Sequence, residues 1–379
     1  MRNLPEKIVT CFLLLFFLPL FGVRGTVAQE TSAASQANRI TIQSGSGSFV
    51  VEGRKGQEEK AITVFYHKPE SFDKRSHVLM VIPGAGRNGD DYRDAWVEAS
   101  EEYGVLILSP SYPEKYYPEY WSYNLAGMTR EVTLDLSFTI ETHPEEWTLD
   151  DVREEIKSSI GMHELVGHAE GHQLVYQLVT LSKAGMLADV DIQGTSELAS
   201  TNPEKWIFDD FDRIFEKSSR GLELKTETYD LFGHSAGGQI LHRLALFHPS
   251  SRADNILAAN SGWYTVPTFE QEFPYGLKDS GMTEDQLQAA FGTNLVLFLG
   301  EEDDADETRG SLRRTSEANE QGGHRLERGK YFFRKAEKIA EERGVGFEWK
   351  IEVVPGVGHD YERMSEAAAD YLYGGEASE

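Results

Sequence analysis

The chain has 379 residues, with 63 acidic against 37 basic side chains and a formal net charge of −26. So acidic a surface repels nucleic acid and anionic membranes, which excludes both as partners and points to a well-solvated protein. The one cysteine, Cys11, lies inside an apolar N-terminal run, so the remaining chain of about 350 residues has to be held by an ordinary hydrophobic core, without disulfides.

Arg2 and Lys7 precede an apolar run from Ile8 to Val23, and Thr26-Val27-Ala28 sets small residues before polar Gln29-Glu30. Residues 1–28 therefore read as a secretory signal peptide cleaved after Ala28, the apolar run being shorter than the roughly 20 residues of a spanning helix. A secreted or periplasmic protein is expected, with no stable membrane association after cleavage. Residues 29–39 are polar and read as a disordered linker.

Ile40 to Val51 and Ala61 to Tyr66 alternate apolar with polar residues, interrupted by Ser44-Gly45-Ser46-Gly47, a pattern that predicts two or three antiparallel strands. His77 to Ile82 is continuously apolar, as a strand buried on both faces would be. It runs into Pro83-Gly84-Ala85-Gly86-Arg87-Asn88. A glycine-rich bend at the end of a central strand leaves backbone N–H groups unpaired, so Ala85 or Gly86 could donate to a developing negative oxygen; a plain strand-to-helix turn is the alternative. Tyr92, Trp96, Ala99 and Tyr103 share one helical face, and Gly104 suits the C-terminal cap. Val105 to Leu108 is a further buried strand.

Residues 111–202 break this alternation, and a segment of roughly 90 residues is too long for a connecting loop. It reads as an insertion over the strand ends. Its first part is crowded with Tyr112, Tyr116, Tyr117, Tyr120, Trp121 and Tyr123, which could line a substrate pocket, Tyr120 and Trp121 above all, or form the insertion's own core. Helical patterns follow around Val152 to Ile156 and Leu174 to Leu181. His163-Glu164-Leu165-Val166-Gly167-His168 resembles a zinc motif only to the eye. His163 and His168 are five apart, whereas two ligands on one helix face with a glutamate between them need H-E-x-x-H. His168 and His172 do have helical spacing; the reading nevertheless takes no metal and no cofactor.

Asn202-Pro203 should open a helix carrying Ile207, Phe211, Ile214 and Phe215, ended by Gly221. Tyr229 to Phe232 then reads as a buried strand and Ile240, Leu241, Leu244 and Phe247 as a helix stopped by Pro249. Between them lies Gly233-His234-Ser235-Ala236-Gly237, a G-x-S-x-G sequence. A strand passing straight into a helix strains the residue at the apex, and glycines on either side let the backbones approach. Ser235 is thereby lifted clear of the sheet, and the Ala236 N–H at the helix start faces the place where an oxyanion would form.

Ile256 to Ala259 is the next strand. Asn260-Ser261-Gly262-Trp263-Tyr264 at its end should border the serine, with Trp263 and Tyr264 as candidate pocket walls; Trp263 would be equally at home as a buried packing residue. Thr283-Glu284-Asp285-Gln286 is a capping box for a helix to Phe291. The strand Asn294 to Leu299 leads to Gly300-Glu301-Glu302-Asp303-Asp304-Ala305-Asp306, and Leu326 to Arg343 is a helix ended by Gly344. Phe347, Trp349, Ile351 and Val353 alternate in the last strand, before Pro355-Gly356-Val357-Gly358-His359-Asp360 and a final amphipathic helix.

A serine hydroxyl becomes a useful nucleophile when a base takes its proton and a third group orients that base. Of eleven histidines, His359 stands in a glycine-flanked loop directly after a late strand. Asp303 follows Gly300 by three residues, so a tight turn can aim its carboxylate at the imidazole; Asp304 is the alternative acid. The order Ser235, Asp303, His359 is that of α/β-hydrolases.

On these motifs, from about His77 to the C-terminus, the chain resembles the α/β-hydrolase superfamily. Pro83-Gly84-Ala85-Gly86-Arg87-Asn88, Gly233-His234-Ser235-Ala236-Gly237-Gly238 and Pro355-Gly356-Val357-Gly358-His359 resemble the secreted polyhydroxybutyrate depolymerase and feruloyl esterase-like branch. The resemblance implies an α/β-hydrolase domain over residues 40–379, with a mostly parallel central sheet, helices on both faces and a large lid-like insertion at about 111–202. It also implies cofactor-free hydrolysis of a small-molecule or polymeric ester. Many relatives carry His-Gly where this chain has Pro83-Gly84. A peptidase or amidase on the same fold, and a non-catalytic polymer- or glycan-binding module, are the competing readings; oligomeric state is left open.

Overall fold

Apolar runs such as Val78–Ile82 and Leu295–Gly300 become interior strands of one sheet, because only a strand covered on both faces can bury consecutive side chains. The structure, a computed structural model, describes residues 40–54, 57–129, 135–139, 189–193 and 203–375. The expected signal peptide and linker lie outside the described residues, as do the helical patterns after Val152 and His163, His168 and His172.

The elements run β1 (Gly45–Val51), β2 (Ile62–Lys68), β3 (Val78–Ile82), α1 (Gly89–Asp94), α2 (Val97–Tyr103), β4 (Leu106–Ser111), α3 (Glu119–Tyr123), β5 (Asp135–Thr139), β6 (Asp189–Gln193), α4 (Phe208–Leu222), β7 (Tyr229–His234), α5 (Ala236–Phe247), β8 (Ala253–Ala259), α6 (Glu284–Phe291), β9 (Leu295–Gly300), α7 (Ser316–Glu320), α8 (Arg325–Arg343), β10 (Lys350–Val354) and α9 (Tyr361–Tyr373). Eight strands form one sheet in the order β1-β2-β4-β3-β7-β8-β9-β10. β1, β2 and β4 pair antiparallel, and every pair from β4 across to β10 is parallel. β5 and β6 form a separate antiparallel pair.

Strand alternation divides the core into two layers. From β3, Met80 and Ile82 point to the layer shared with Phe211 and Phe215 of α4, Leu241 and Leu244 of α5, and Phe332 of α8. Leu79 and Val81 point to the other layer, against Trp96 and against Met364 and Ala368 of α9. Each fully buried aliphatic or aromatic side chain contributes about 1.5–3 kcal/mol of transfer free energy. The strand order reverses at β3, since β4 lies on one side of it and β7 on the other. The crevice at the carboxyl ends of β3 and β7 is thus the switch point where such sheets bind ligands.

Several elements depart from the sequence reading. The helix expected over Tyr92 to Tyr103 is two short helices broken at Ala95 and Trp96, where Trp96 turns its ring edge-on to Phe232 at 5.3 Å. Gly104 does cap the second in the left-handed region. α4 does not stop at Gly221. That glycine is internal, and a methyl there would come 2.9 Å from Ile40 Cγ1, while Glu223 supplies the left-handed cap with its N–H on Ser219 O. The capping box at Thr283 and Gln286 is formed as expected.

The aromatic run after β4 is also settled for part of its length. Tyr112, Tyr117 and Tyr123 are buried in the same layer as β3 and β4, with Tyr112 edge-on to Tyr117 at 4.9 Å. They are core, because their rings complete the sheet's own packing. Among the described residues no helix is long and apolar enough to cross a membrane, and no cluster of side chains fit for a metal ion occurs.

Candidate active site

β7 feeds directly into α5 through Ser235, whose φ of 58° and ψ of −111° put it outside the usual regions for a side-chain-bearing residue. The glycines around it permit this. A Cβ on Gly233 would lie 2.6 Å from the Gly237 carbonyl carbon, and one on Gly237 would collide with Ile82 O. Ser235 N–H donates to Ala259 O at 2.9 Å, fastening the apex to the end of β8. Ser235 as a whole stays partly exposed.

His359 arrives from the loop after β10. Its Nε2 is 3.1 Å from Ser235 Oγ and its Nδ1 is 2.8 Å from Asp303 Oδ2. Asp303, wholly buried, sits in the turn after β9, where its N–H donates to Gly300 O. Gly300 is needed for closeness, since a Cβ there would run into the Val357 carbonyl. Asp304 faces away and accepts the N–H of Asp306. The structure thus brings Ser235, Asp303 and His359 together and leaves the alternative acid outside the array.

Three residues that the sequence reading missed hold this geometry. Arg325, at the start of α8, places Nη1 3.1 Å from Asp303 Oδ1. Asn260, in the left-handed region at the end of β8, accepts Gly300 N–H at 2.7 Å and donates to Gly358 O at 3.0 Å. Glu307 accepts the His359 N–H at 2.7 Å and pairs with Arg309, which in turn reaches Asp360. Hydrogen bonding from Arg309 is the main reason the Glu307 carboxyl is held well below the usual carboxylate range. The left-handed asparagine between a strand and a Ser-Gly turn was the one local signal available.

His234, the variable residue of the serine turn, is buried with its ring 4.5 Å from that of His359. Burial first, then its neighbours His359, Arg325 and Arg309, push its pKa well below the imidazole range, so it stays neutral. Ala236 begins α5, so its N–H has no intrahelical acceptor. Ala85 and Gly86 lie in a turn closed by Arg87 N–H on Gly84 O at 3.0 Å. That turn stands beside the serine, since a Cβ on Gly84 would be 3.6 Å from Ser235 Cβ.

The proposed pocket walls divide. Tyr264 has no exposed surface; it stacks on Phe332 at 4.7 Å, and Gln321 binds both its backbone N–H and its carbonyl. It is a core residue and cannot touch a substrate from there. Trp263 is 3% exposed, packed beside Tyr275 and under the Arg243 guanidinium at 4.4 Å, so its ring is spent on packing. Trp121 leans on the same small cluster and keeps partial exposure. Tyr120 lies in α3, but its side chain is outside the described residues.

This sheet, with its reversed order at β3 and a strained serine between β7 and α5, has the α/β-hydrolase fold. Comparison with solved structures agrees. Poly(aspartic acid) hydrolase-1 from Sphingomonas sp. KT-1 is 29% identical with a TM-score of 0.65, over 88% of this chain and 99% of that one. The poly(3-hydroxybutyrate) depolymerase LpqC from Bordetella parapertussis is 26% identical with a TM-score of 0.66, over 88% of this chain and 91% of that one. The chain is therefore an α/β-hydrolase-fold protein similar to the depolymerase-like branch. No protein-family model and no curated protein matches it.

Proposed function

We propose that this chain is a secreted serine hydrolase that cleaves carboxylic esters through an acyl-enzyme. The observation that carries the reading is the continuous line from Ser235 Oγ through the His359 ring to Asp303, with gaps of 3.1 and 2.8 Å. His359 Nε2 takes the Ser235 proton as Oγ attacks the ester carbonyl carbon, and Asp303 stabilises the imidazolium through Nδ1–H. The Ala236 N–H and that of Ala85 or Gly86 receive the negative oxygen. The tetrahedral adduct collapses, the alcohol leaves with the proton from Nε2, and water repeats the sequence to release the acid and regenerate Ser235. Secretion rests on the apolar run after Lys7, and retention of the whole chain inside the cell would refute it.

The test is labelling by a fluorophosphonate, read by intact mass, beside Ser235→Ala. A single adduct on the wild type and none on the variant is expected. Equal labelling of both, or of neither while a control hydrolase reacts, removes the reading and brings the binding-module alternative forward.

Amide hydrolysis is the second reading. It is favoured by the 29% identical neighbour described as acting on poly(aspartic acid), a polymer joined through amides. Matched aryl ester and anilide substrates separate the two: turnover of the ester alone supports the esterase.

A further inference from the structure

The Pro83–Gly86 turn has to hold a donor in place although it belongs to no helix or ladder. Two tyrosine hydroxyls from separate helices meet on one of its peptide units. Tyr123 of α3 donates from Oη to Pro83 O at 2.7 Å. On the nitrogen side of the same peptide, the hydroxyl of Tyr92 in α1 packs against the Gly84 backbone. That hydroxyl sits so close that a Cβ on Gly84 would be 2.9 Å from it. The Pro83 carbonyl is thus held by a hydrogen bond, and Gly84 by the Tyr92 hydroxyl packed against it.

Both rings are themselves fixed. Tyr123 is fully buried under the Arg87 guanidinium, 5.0 Å above its ring. Tyr92 is 4% exposed and stacks at 4.4 Å on Tyr361, two residues past His359. Its Oη is 3.2 Å from His234 Nδ1, and His234 lies against the His359 ring. Burial raises both phenol pKa values far enough that each hydroxyl remains a donor at any working pH. Tyr92 can therefore donate to His234 while its oxygen packs on Gly84, joining the turn, the serine apex and the histidine loop through one side chain.

We propose that Tyr92 and Tyr123 are positioning residues for the oxyanion hole, clamping the Pro83–Gly84 peptide so that the next N–H groups face the same point as the Ala236 N–H. The inference rests on the serine-hydrolase reading and names which side chains make its second oxyanion donor competent. Where the peptide is free to rotate, the turn loses its aim while Ser235, His359 and Asp303 keep theirs.

The test uses Tyr92→Phe, Tyr123→Phe, the double variant, and Tyr112→Phe as a control. Tyr112 is buried with its ring 5.7 Å from that of Tyr123 but holds no atom of the turn. Each clamp variant should lose about 10- to 100-fold in kcat with KM changed by less than about 2-fold, below the full loss of an oxyanion donor. Affinity for a trifluoromethyl ketone, which forms a tetrahedral oxyanion on Ser235, should fall by the same factor as kcat/KM. The double variant should lose less than the product of the singles, because both hydroxyls hold one peptide. The control should match the wild type in rate.

If the clamp variants keep kcat and ketone affinity within about 2-fold of wild type, the proposal is wrong. A lowered denaturation midpoint with KM and kcat shifted together, and the kcat/KM-to-ketone proportionality lost, marks a merely structural role and also overturns it. Failure of the wild type itself to label with fluorophosphonate removes the underlying reading and this proposal with it.

Discussion

Arg325 Nη1 lies 3.1 Å from Asp303 Oδ1, while the other oxygen of the same carboxylate is 2.8 Å from His359 Nδ1. The two buried charges fix the rotation of the carboxylate, so one oxygen always faces the imidazole. Arg325 also donates to Ser311 O, tying the segment after β9 to α8. Desolvation offsets much of the attraction in such a pair, yet deleting one partner strands the other. Arg325→Met should therefore cost about 3–5 kcal/mol in urea denaturation. Asp303→Asn should leave the fold in place and lower kcat by about 10⁴, through the wrong histidine tautomer. Asp304→Asn, whose carboxylate meets only its own turn, should keep kcat within about 3-fold and stability within about 0.5 kcal/mol; the reverse ranking would reassign the acid.

Asn260 links the ends of β8 and β9 to the histidine loop, and its φ of 46° suits asparagine better than other side-chain-bearing residues. Asn260→Ala leaves the Gly300 N–H and the Gly358 carbonyl buried without that partner. A stability loss of about 1–3 kcal/mol is expected for each orphaned group that finds no water. Because the two groups carry Asp303 and His359, kcat should fall more than the change in stability alone explains at temperatures where the variant is fully folded. A variant with wild-type kcat would show that the loops position themselves without it.

Much of this was readable where the cause is local. The runs that became β3 and β9 are apolar because both faces are covered, and the Gly233 to Gly237 pattern is dictated by backbone contact. Ser235, Asp303 and His359 were separable from other candidates because each follows a parallel strand. Arg325, Tyr92 and Tyr123 were not, since their partners lie 22 to 142 residues away and nothing in a local pattern gives them those roles. Tyr264 misled, and Trp263 stayed open between wall and packing, for the related reason that an aromatic after a strand end looks the same whether it faces substrate or, as here, the protein's own core. Gly221 misled because glycine also serves close packing, against Ile40 in this case.

Glu307 gives the histidine loop an acid-sensitive fastening. Its folded pKa is depressed, first by Arg309, so the unfolded chain binds the proton more readily and stability rises with pH through this group. The contribution is complete above the unfolded value of about 4.5 and is lost progressively as pH falls below it. Glu307→Gln should lower the thermal midpoint at neutral pH, and the gap from wild type should narrow as pH drops from about 5 toward 3. A gap that stays constant over that range would detach Glu307 from the acid response.

Gly310 crosses the edge of the imidazole that faces Ser235. A Cβ added there would lie 3.2 Å from His359 Cδ2, 3.3 Å from Nε2 and 3.1 Å from Arg325 Nη2, and the backbone is left-handed at φ +67°. Gly310→Ala therefore combines backbone strain with crowding of the proposed base. Gly344 separates the two effects, because its φ is +65° and a Cβ there meets nothing within 4 Å. Both alanine variants should lose about 1–2 kcal/mol of stability from the backbone alone. Only Gly310→Ala should also slow the reaction, by about 10- to 100-fold, since displacing a base by a fraction of an ångström is enough to misalign proton transfer. Initial rates and denaturation midpoints for the pair decide it. Equal rates in the two variants would mean that the 304–315 segment yields without disturbing His359.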